Sequence, residues 1–172
     1  MARGIFVKVD GIDGESTDKD HPGWIEVLSY EHGHSQKANP SISGGGGGTS
    51  ARVTFDDFTI KKLVDKASPK LFQRCLDGKH IATVIVQAWR AAGDKPVKYL
   101  EMKMEDVVVS KYKMTTHDKA ALESNQKTTD VPHDEVDFNF AKVNVTYTAT
   151  KPDGAAGGNS SGGWDLTSNS PI

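Results

Sequence analysis

Two histidines have the spacing in this chain that most suggests chemistry. His32 and His34 are separated by one residue within a segment that alternates like a β-strand, so both imidazoles would lie on one face. Such a pair can supply two ligands to zinc, but structural zinc sites need four ligands and catalytic sites need three. Because no spacing identifies a third ligand, the pattern favours a half-buried strand face over a metal centre.

Two other patterns match catalytic motifs only formally. Residues 158–162 read Gly-Asn-Ser-Ser-Gly, the order of a nucleophile elbow, but the strand before it and the helix after it are not predicted here. The run from Gly44 to Gly48 could suggest a phosphate-binding loop. Thr49 and Ser50 follow it without the lysine that such a loop needs. Neither pattern therefore indicates a catalytic or nucleotide-binding site.

Single reactive side chains do not build a catalytic group either. Cys75 is the only cysteine and falls on the apolar face of a predicted helix, which is typical of a buried structural thiol. Glu31 stands alone on a predicted strand, whereas acid–base catalysis usually needs a second titratable group at a defined distance. We predict that the chain is not an enzyme and requires no cofactor and no metal.

Composition narrows the possible partners. The chain has 172 residues with 21 basic and 23 acidic side chains mixed along its length, so it has no basic stripe for nucleic acid. Its longest apolar stretch, residues 81–89, is far shorter than the roughly 20 residues of a membrane-spanning helix. Lys8 and Asp10 interrupt any apolar segment near the start, so we expect no secretory signal peptide. We predict a chain made in the cytoplasm that binds neither nucleic acid nor membrane.

Most of the chain alternates with a period of two, which predicts β-strands. The predicted strands cover residues 5–9, 24–35, 83–91, 97–114 and 134–148, with irregularities near residues 56–57 and 141–142. One helix is predicted with Ser68 as its N-cap, Pro69 at its first helical position and Gly78 as its C-terminal stop. These elements predict a mainly β fold: a compact β-barrel or sandwich of two sheets with one α-helix on the outside and a long extended loop.

The same patterns predict which faces are buried. On the second strand we expect Leu28, Tyr30 and His32 to face the core, with Ser29, Glu31 and Gly33 outward. On the helix the predicted apolar face is Leu71, Phe72, Cys75 and Leu76. Residues 1–150 form one predicted barrel domain. Residues 151–172 are a predicted flexible Gly/Ser-rich tail with Trp164 as an apolar anchor.

Several segments, taken in order, carry a family resemblance. Residues 14–21 (Gly-Glu-Ser-Thr-Asp-Lys-Asp-His) and 24–28 (Trp-Ile-Glu-Val-Leu) resemble the N-terminal signature of the Hcp family of bacterial type VI secretion. Residues 68–72, 139–143 and 163–165 resemble the helix, a late strand and the tail of that family. The similarity runs from end to end, although none of these motifs is catalytic.

The resemblance implies a structural role. Hcp subunits form homohexameric rings that stack into the inner tube of the secretion machine, with sheath, spike and effector proteins as partners. The tube is exported with effectors in its lumen, which would explain secretion without a signal peptide. By this resemblance Ser29, Glu31 and Gly33 would face the lumen. An extended inter-subunit loop would contain Asn39, Pro40, Ser41, Ile42, Ser43, Gly44, Gly45, Gly46, Gly47 and Gly48.

Two other functions remain open from the residues. A monomeric β-sandwich that binds a ligand would need an aromatic platform, for which Trp24, Trp89 and Trp164 are available. A metal-dependent hydrolase would use His32 and His34. Residues 115–133 carry no convincing periodicity and could tune stacking or the choice of effector.

Overall fold

The computed structural model describes residues 4–36, 53–92, 95–116, 132–151 and 155–172. They form eleven strands and one helix, numbered here in chain order. The elements are β1 (Ile5–Val9), β2 (Ile25–Val27), β3 (Ser29–Glu31), β4 (His34–Ser35), β5 (Thr54–Phe55), β6 (Phe58–Leu63), α1 (Ser68–Asp77), β7 (Ile81–Ala92), β8 (Lys95–Thr115), β9 (His133–Thr150), β10 (Ala156–Asp165) and β11 (Ser170–Pro171). The predicted mainly β class with a single helix is confirmed for this part of the chain.

Nine of these strands form one sheet that closes into a barrel. Its continuous path is β11-β10-β9-β8-β7-β1-β2, and β6 pairs with both β3 and β9. The backbone from Ile25 to Glu31 closes this path, because its first half (β2) pairs with β1 and its second half (β3) pairs with β6. The Leu28 amide N–H donates to the Lys61 carbonyl between the two halves, at 2.8 Å. A second, two-stranded sheet consists of β4 and β5.

The three longest strands change their buried side along one line of the sheet. At this line, consecutive core residues of β7, β8 and β9 lie three positions apart instead of the two that are usual in a β-strand. The pairs are Ile81 and Val84, Met104 and Val107, and Phe140 and Val143. The register of β8 with β9 does not slip there, because Met104 pairs with Val143 and Val107 pairs with Phe140. Asp106 lies on this line with φ 54°, a left-handed backbone conformation that bends the sheet. The predicted irregularity near residues 141–142 is part of this bend.

Helix α1 is tied to the barrel by a buried polar cluster around Lys62. Lys62 Nζ lies 2.7 Å from Asp65 Oδ1, 2.9 Å from Ser68 Oγ and 3.0 Å from Asp134 Oδ2. Ser68 Oγ also donates to Asp134, and the Tyr112 hydroxyl donates to the same carboxylate at 2.8 Å. Every charged group of the cluster has a partner, as buried charges require. The helix ends at Gly78, which adopts the predicted left-handed conformation.

Several predicted faces were wrong. Leu28 is 57% exposed rather than buried, because the jog from β2 to β3 places Leu28 and Ser29 both outside. Of the predicted apolar face of α1 only Leu71 is fully buried, while Phe72 is 50% and Leu76 is 73% exposed, because the helix contacts the barrel along a narrow stripe. Ser68 is the first helical residue rather than a side-chain cap, and Ala67 occupies the cap position.

The prediction of a flexible linker after residue 150 was also wrong for the described residues. Residues 156–165 form β10, which pairs antiparallel with β9 from Thr150 to Lys142. Trp164 packs against the hydrophobic core as the predicted anchor would. The sequence missed this strand because glycine and serine have low strand propensity, and here the open edge of β9 supplies the backbone partners.

Candidate functional site

A polar face extends across the four neighbouring strands β3, β6, β9 and β8. Residues directly opposite each other in antiparallel strands project from the same side of a sheet. One row across this face consists of Ser29, Lys61, Glu135 and Lys113, and the next of Glu31, Thr59, Asp137 and Lys111. These eight side chains are exposed or half-buried. The row between them, Tyr30, Ile60, Val136 and Tyr112, faces the interior, with Ile60 and Val136 fully buried.

Opposite charges alternate across the polar face. Lys111 Nζ lies 2.8 Å from Glu135 Oε1 and 3.5 Å from Asp137 Oδ2, and Lys61 Nζ lies 4.0 Å from Glu135 Oε2. The hydrogen bond between Lys111 and Glu135 raises the pKa of the lysine and lowers the pKa of the glutamate. Thr59 donates to Asp137 at 2.8 Å. Exposed pairs of this kind add little to stability, so their effect is to keep the face hydrated and its charges balanced.

Of the three residues predicted to face the lumen, two lie on this polar face and one does not. Ser29 and Glu31 are exposed on β3, as expected for outward positions. Gly33 lies beyond the end of β3 and is half-buried, and an added Cβ would come within 2.7 Å of Asp56 Oδ2. Gly33 therefore does not continue the row of Ser29 and Glu31. That these residues face a lumen stays a prediction.

An exposed apolar side chain, Leu28, lies between β2 and β3. Leu28 lines two adjacent grooves of about 740 and 580 Å³, both of which also include Ile5 and Val27. The first groove extends to Leu63, which is 45% exposed, and the second to Tyr99. A contiguous exposed apolar surface, rather than a single leucine, marks a protein–protein contact, so the grooves make this region a candidate for one.

The two histidines singled out by spacing lie at and just before β4. His34 pairs with Phe55 in the β4–β5 hairpin, and its ring centroid lies 5.5 Å from that of Phe55. The ring of His32 is half-buried near Phe58 and Phe140, with centroid distances of 6.1 and 5.6 Å. Burial, and secondarily the charge of His34, lowers the pKa of His32. Among the residues the structure describes, no group of three His, Cys, Asp or Glu side chains could hold a metal ion. The predicted loop residues 39–48, like most of residues 115–133, lie outside the described ranges.

A second histidine site was not predicted. His21 is 1% exposed and its ring stacks on Phe6 at a centroid distance of 4.2 Å and an interplanar angle of 2°. The rings of Trp24 and Trp89 stand nearly perpendicular to it at 4.9 and 5.1 Å. Its Nε2 lies 2.9 Å from Gln87 Oε1 on β7. A single polar residue in a charged loop gives no sequence signal of such burial. The polar rows, by contrast, were detectable in the alternation of polar and apolar residues along β6 and β9.

The whole-chain comparison decides the family. Residues 6–147 match the family model described as "Type VI secretion system effector, Hcp". The chain belongs to the Hcp family. An Hcp relative, "Protein hcp1" of Pseudomonas aeruginosa, is 33% identical over 170 residues, which are 98% of each chain.

Solved Hcp structures share the fold over the same extent. One, "Structure of a type six secretion system protein", superposes with a TM-score of 0.85 at 29% identity and covers 99% of this chain and 100% of its own. Hcp1 from Salmonella typhimurium superposes with a TM-score of 0.75 at 31% identity and covers 100% of both chains. Because Hcp proteins are non-enzymatic tube proteins secreted by the type VI system, this chain is a member of a secreted, structural family. The predictions of family, fold class and non-enzymatic role are confirmed.

The tryptophans do not favour the alternative of a ligand-binding module. The rings of Trp24 and Trp89 both contact the ring of His21 and are half-buried. Trp164 packs against the core elsewhere and lines a cavity with Phe55. The three rings therefore do not form one exposed platform.

The described part of the chain has no helix that is long and apolar enough to cross a bilayer.

Proposed function

We propose that this chain forms homohexameric rings that stack into the inner tube of a type VI secretion machine, and that the tube carries effectors in its lumen. Family membership supports the tube role. The partners of the assembled tube are further copies of this chain and the sheath, spike and effector proteins of the machine.

We further propose that the polar face of β3, β6, β9 and β8 lines the lumen. The observation that carries this assignment is the pair of charged rows that continues from Ser29 and Glu31 across three more strands. A face on which lysines and carboxylates alternate is wet and nearly neutral, so it binds no single protein tightly along its whole length. That property suits a channel through which different proteins must move. Helix α1 then lies on the outside of the ring.

The assembly is tested on the purified native protein by light scattering after size exclusion, with negative-stain imaging of the same peak. We expect a mass of six subunits and ring-shaped particles. A monodisperse monomer at high concentration would contradict the proposal and return attention to the ligand-binding module.

The lumen assignment is tested by placing a label on each side of the wall. In a Cys75→Ser background, Glu31→Cys and Lys70→Cys introduce one exposed thiol on β3 or on α1. After labelling with small gold particles, averaged ring images should show density towards the centre for Glu31→Cys and at the periphery for Lys70→Cys. Peripheral density for Glu31→Cys would show that the polar face is not the lumen.

The extended loop is also assigned to contacts with a neighbouring subunit or ring. Replacing residues 41–48 by a short turn should leave the fold intact, because the closure entropy of a surface loop changes little with its length. We expect weaker ring closure or stacking, measured as a lower mass at equal concentration or shorter stacks. An unchanged assembly would place this contact elsewhere.

A further inference from the structure

A cavity of about 640 Å³ is enclosed by the β4–β5 hairpin on one side and by strands β9 and β10 on the other. The hairpin contributes His34 and Phe55, β9 contributes Val143 and Val145, and β10 contributes Trp164. Sites for small molecules usually have volumes of about 300–1,000 Å³ and mostly apolar walls with a few polar groups. The size and the lining of this cavity therefore suit a small molecule.

Flat side chains form the hairpin side of the cavity. The ring centroids of His34 and Phe55 lie 5.5 Å apart with an interplanar angle of 28°. The ring of His32, which also lines the cavity, lies 6.4 Å from Phe55 at an angle of 24°. Aromatic rings prefer offset-stacked or edge-to-face contacts with other rings at such distances. This side of the cavity therefore favours a ligand with a flat aromatic body.

Two polar atoms of the lining residues are buried without a hydrogen-bond partner in the described part of the chain. They are Trp164 Nε1 and His32 Nδ1. The indole N–H can only donate, so it needs an acceptor. Burial, followed by the charge of His34, lowers the pKa of His32, so its imidazole is neutral at pH 7 and its Nδ1 offers either an N–H or a lone pair. Leaving buried polar groups unsatisfied is unfavourable, so a ligand that offers both an acceptor and a donor gains by binding here.

The charges around the cavity favour an uncharged ligand. None of the described residues that line it is Asp, Glu, Lys or Arg. A smaller cavity of about 90 Å³ shares Phe55 and Trp164 with it and is also lined by Asp56. An ion in the larger cavity would lose hydration without meeting an opposite charge in the lining. Asp56 further disfavours an anion, and the Trp164 N–H offers nothing to a cation.

We propose that this cavity binds an uncharged aromatic molecule that carries a carboxamide group. The aromatic body stacks on Phe55 and His34. The carbonyl oxygen accepts a hydrogen bond from Trp164 Nε1–H, and the amide supplies either a donor or an acceptor to His32 Nδ1. This inference is independent of ring assembly, because every group that it uses belongs to one chain.

Two pairs of variants separate the site from the fold. Gly162 lines the cavity and Gly158 does not, although both lie on β10 and an added Cβ has nothing within 4 Å at either position. Gly162→Leu should therefore obstruct the cavity, with Gly158→Leu as its matched control. Trp164→Phe removes the unpartnered N–H and keeps an aromatic ring. Its control is Trp89→Phe, because the Trp89 indole bonds to Gln87 outside the cavity.

The experiment is a titration of ¹⁵N-tryptophan-labelled native protein with 2-naphthamide, followed by the indole N–H signals of its three tryptophans. We expect the Trp164 proton to move downfield, as a new hydrogen bond requires, while the other two signals stay in place. The anion 2-naphthoate should bind at least about tenfold more weakly. In the variants, affinity is measured from the line broadening of the 2-naphthamide signals.

Gly162→Leu should weaken 2-naphthamide binding at least about tenfold and Trp164→Phe about fivefold, whereas both control variants should bind like the wild type. A Trp164 signal that 2-naphthamide does not move would overturn the inference, as would equal affinity for 2-naphthoate. Equal losses in Gly162→Leu and Gly158→Leu would do the same. This glycine pair decides the question even if Trp164→Phe does not fold.

Discussion

Lys62 Nζ lies 3.0 Å from Asp134 Oδ2, and neither side chain has any solvent exposure. The pair joins β6 to β9 beneath α1, where the barrel and its only described helix meet. Removing one partner of a buried ion pair is strongly destabilising when it leaves the other charge uncompensated. We expect Lys62→Met, which leaves the fully buried Asp134 carboxylate without its cation, to lower the free energy of unfolding by about 3–5 kcal/mol. Asp134→Leu should cost less, because Lys62 keeps the Asp65 carboxylate at 2.7 Å.

The double variant Lys62→Met/Asp134→Leu should lose less than the sum of the two single variants, because the buried carboxylate that Lys62→Met leaves without its cation is then absent as well. Urea titrations of all three variants measure this. Lys103→Met is the control, since its exposed pair with Glu105 should contribute about 0.2–1 kcal/mol at most. Additive losses in the double variant would show that Lys62 and Asp134 do not act as a pair.

Tyr112 should make the fold sensitive to strong alkali. Burial, followed by the hydrogen bond to Asp134, raises the pKa of its hydroxyl well above the ordinary value of 10.0. A raised pKa means that the neutral tyrosine stabilises the fold below the unfolded-state pKa. This stabilisation is lost as the pH rises above about 10. Urea midpoints measured from pH 8 to 11 should fall at the alkaline end for the wild type and fall less for Tyr112→Phe; equal slopes would contradict this.

Asp165 should contribute to acid stability. Hydrogen bonds from the Thr167 side chain and the Ser168 backbone lower the pKa of its carboxyl well below the ordinary value of 3.8. A lowered pKa means stabilisation that is present above the unfolded-state pKa and is lost as the pH falls. We expect Asp165→Asn to flatten the loss of stability between about pH 5 and pH 2. Thermal unfolding followed across that range measures the slope, and an unchanged slope would assign acid sensitivity to other carboxylates.

Gly14 lies within the family signature and has no room for a side chain. An added Cβ would come within 2.3 Å of the Trp24 carbonyl oxygen and 2.6 Å of the Ile25 Cα, both backbone atoms that cannot easily move. We expect Gly14→Ala to destabilise by more than about 2 kcal/mol in urea unfolding, as overpacking against rigid neighbours does. Gly158→Ala is the matched control, because an added Cβ there has nothing within 4 Å. Similar midpoints for both variants would mean that residues 13–23 are not held as the structure shows.

Leu28 should matter for assembly rather than for folding. Because its side chain is 57% exposed between two grooves, Leu28→Ser should change the urea midpoint by less than about 0.5 kcal/mol. If the grooves contact a neighbouring subunit, the variant should shift the mass measured by light scattering from rings towards monomers. Leu76→Ser on the outer helix is the control and should leave the rings intact. The same mass for both variants would show that Leu28 does not contact a neighbouring subunit.

The sequence by itself determined the positions of β1, β7, β8 and β9, because alternating residues such as Val84, Val86 and Ala88 can bury one face only in an extended backbone. It also determined the helix end at Gly78 and the outward positions of Ser29 and Glu31, because these features depend on local spacing along the chain. The resemblance of whole segments indicated the family.

The tertiary structure alone decided the rest. The jog that exposes Leu28 exists because one segment must pair first with β1 and then with β6. The strand at residues 156–165 forms because β9 offers it an edge, against the preference of its glycines. The burial of His21 depends on Gln87, 66 residues away. Contacts between distant segments leave no periodic pattern in the sequence. Only the folded chain therefore shows which polar side chains these contacts bury.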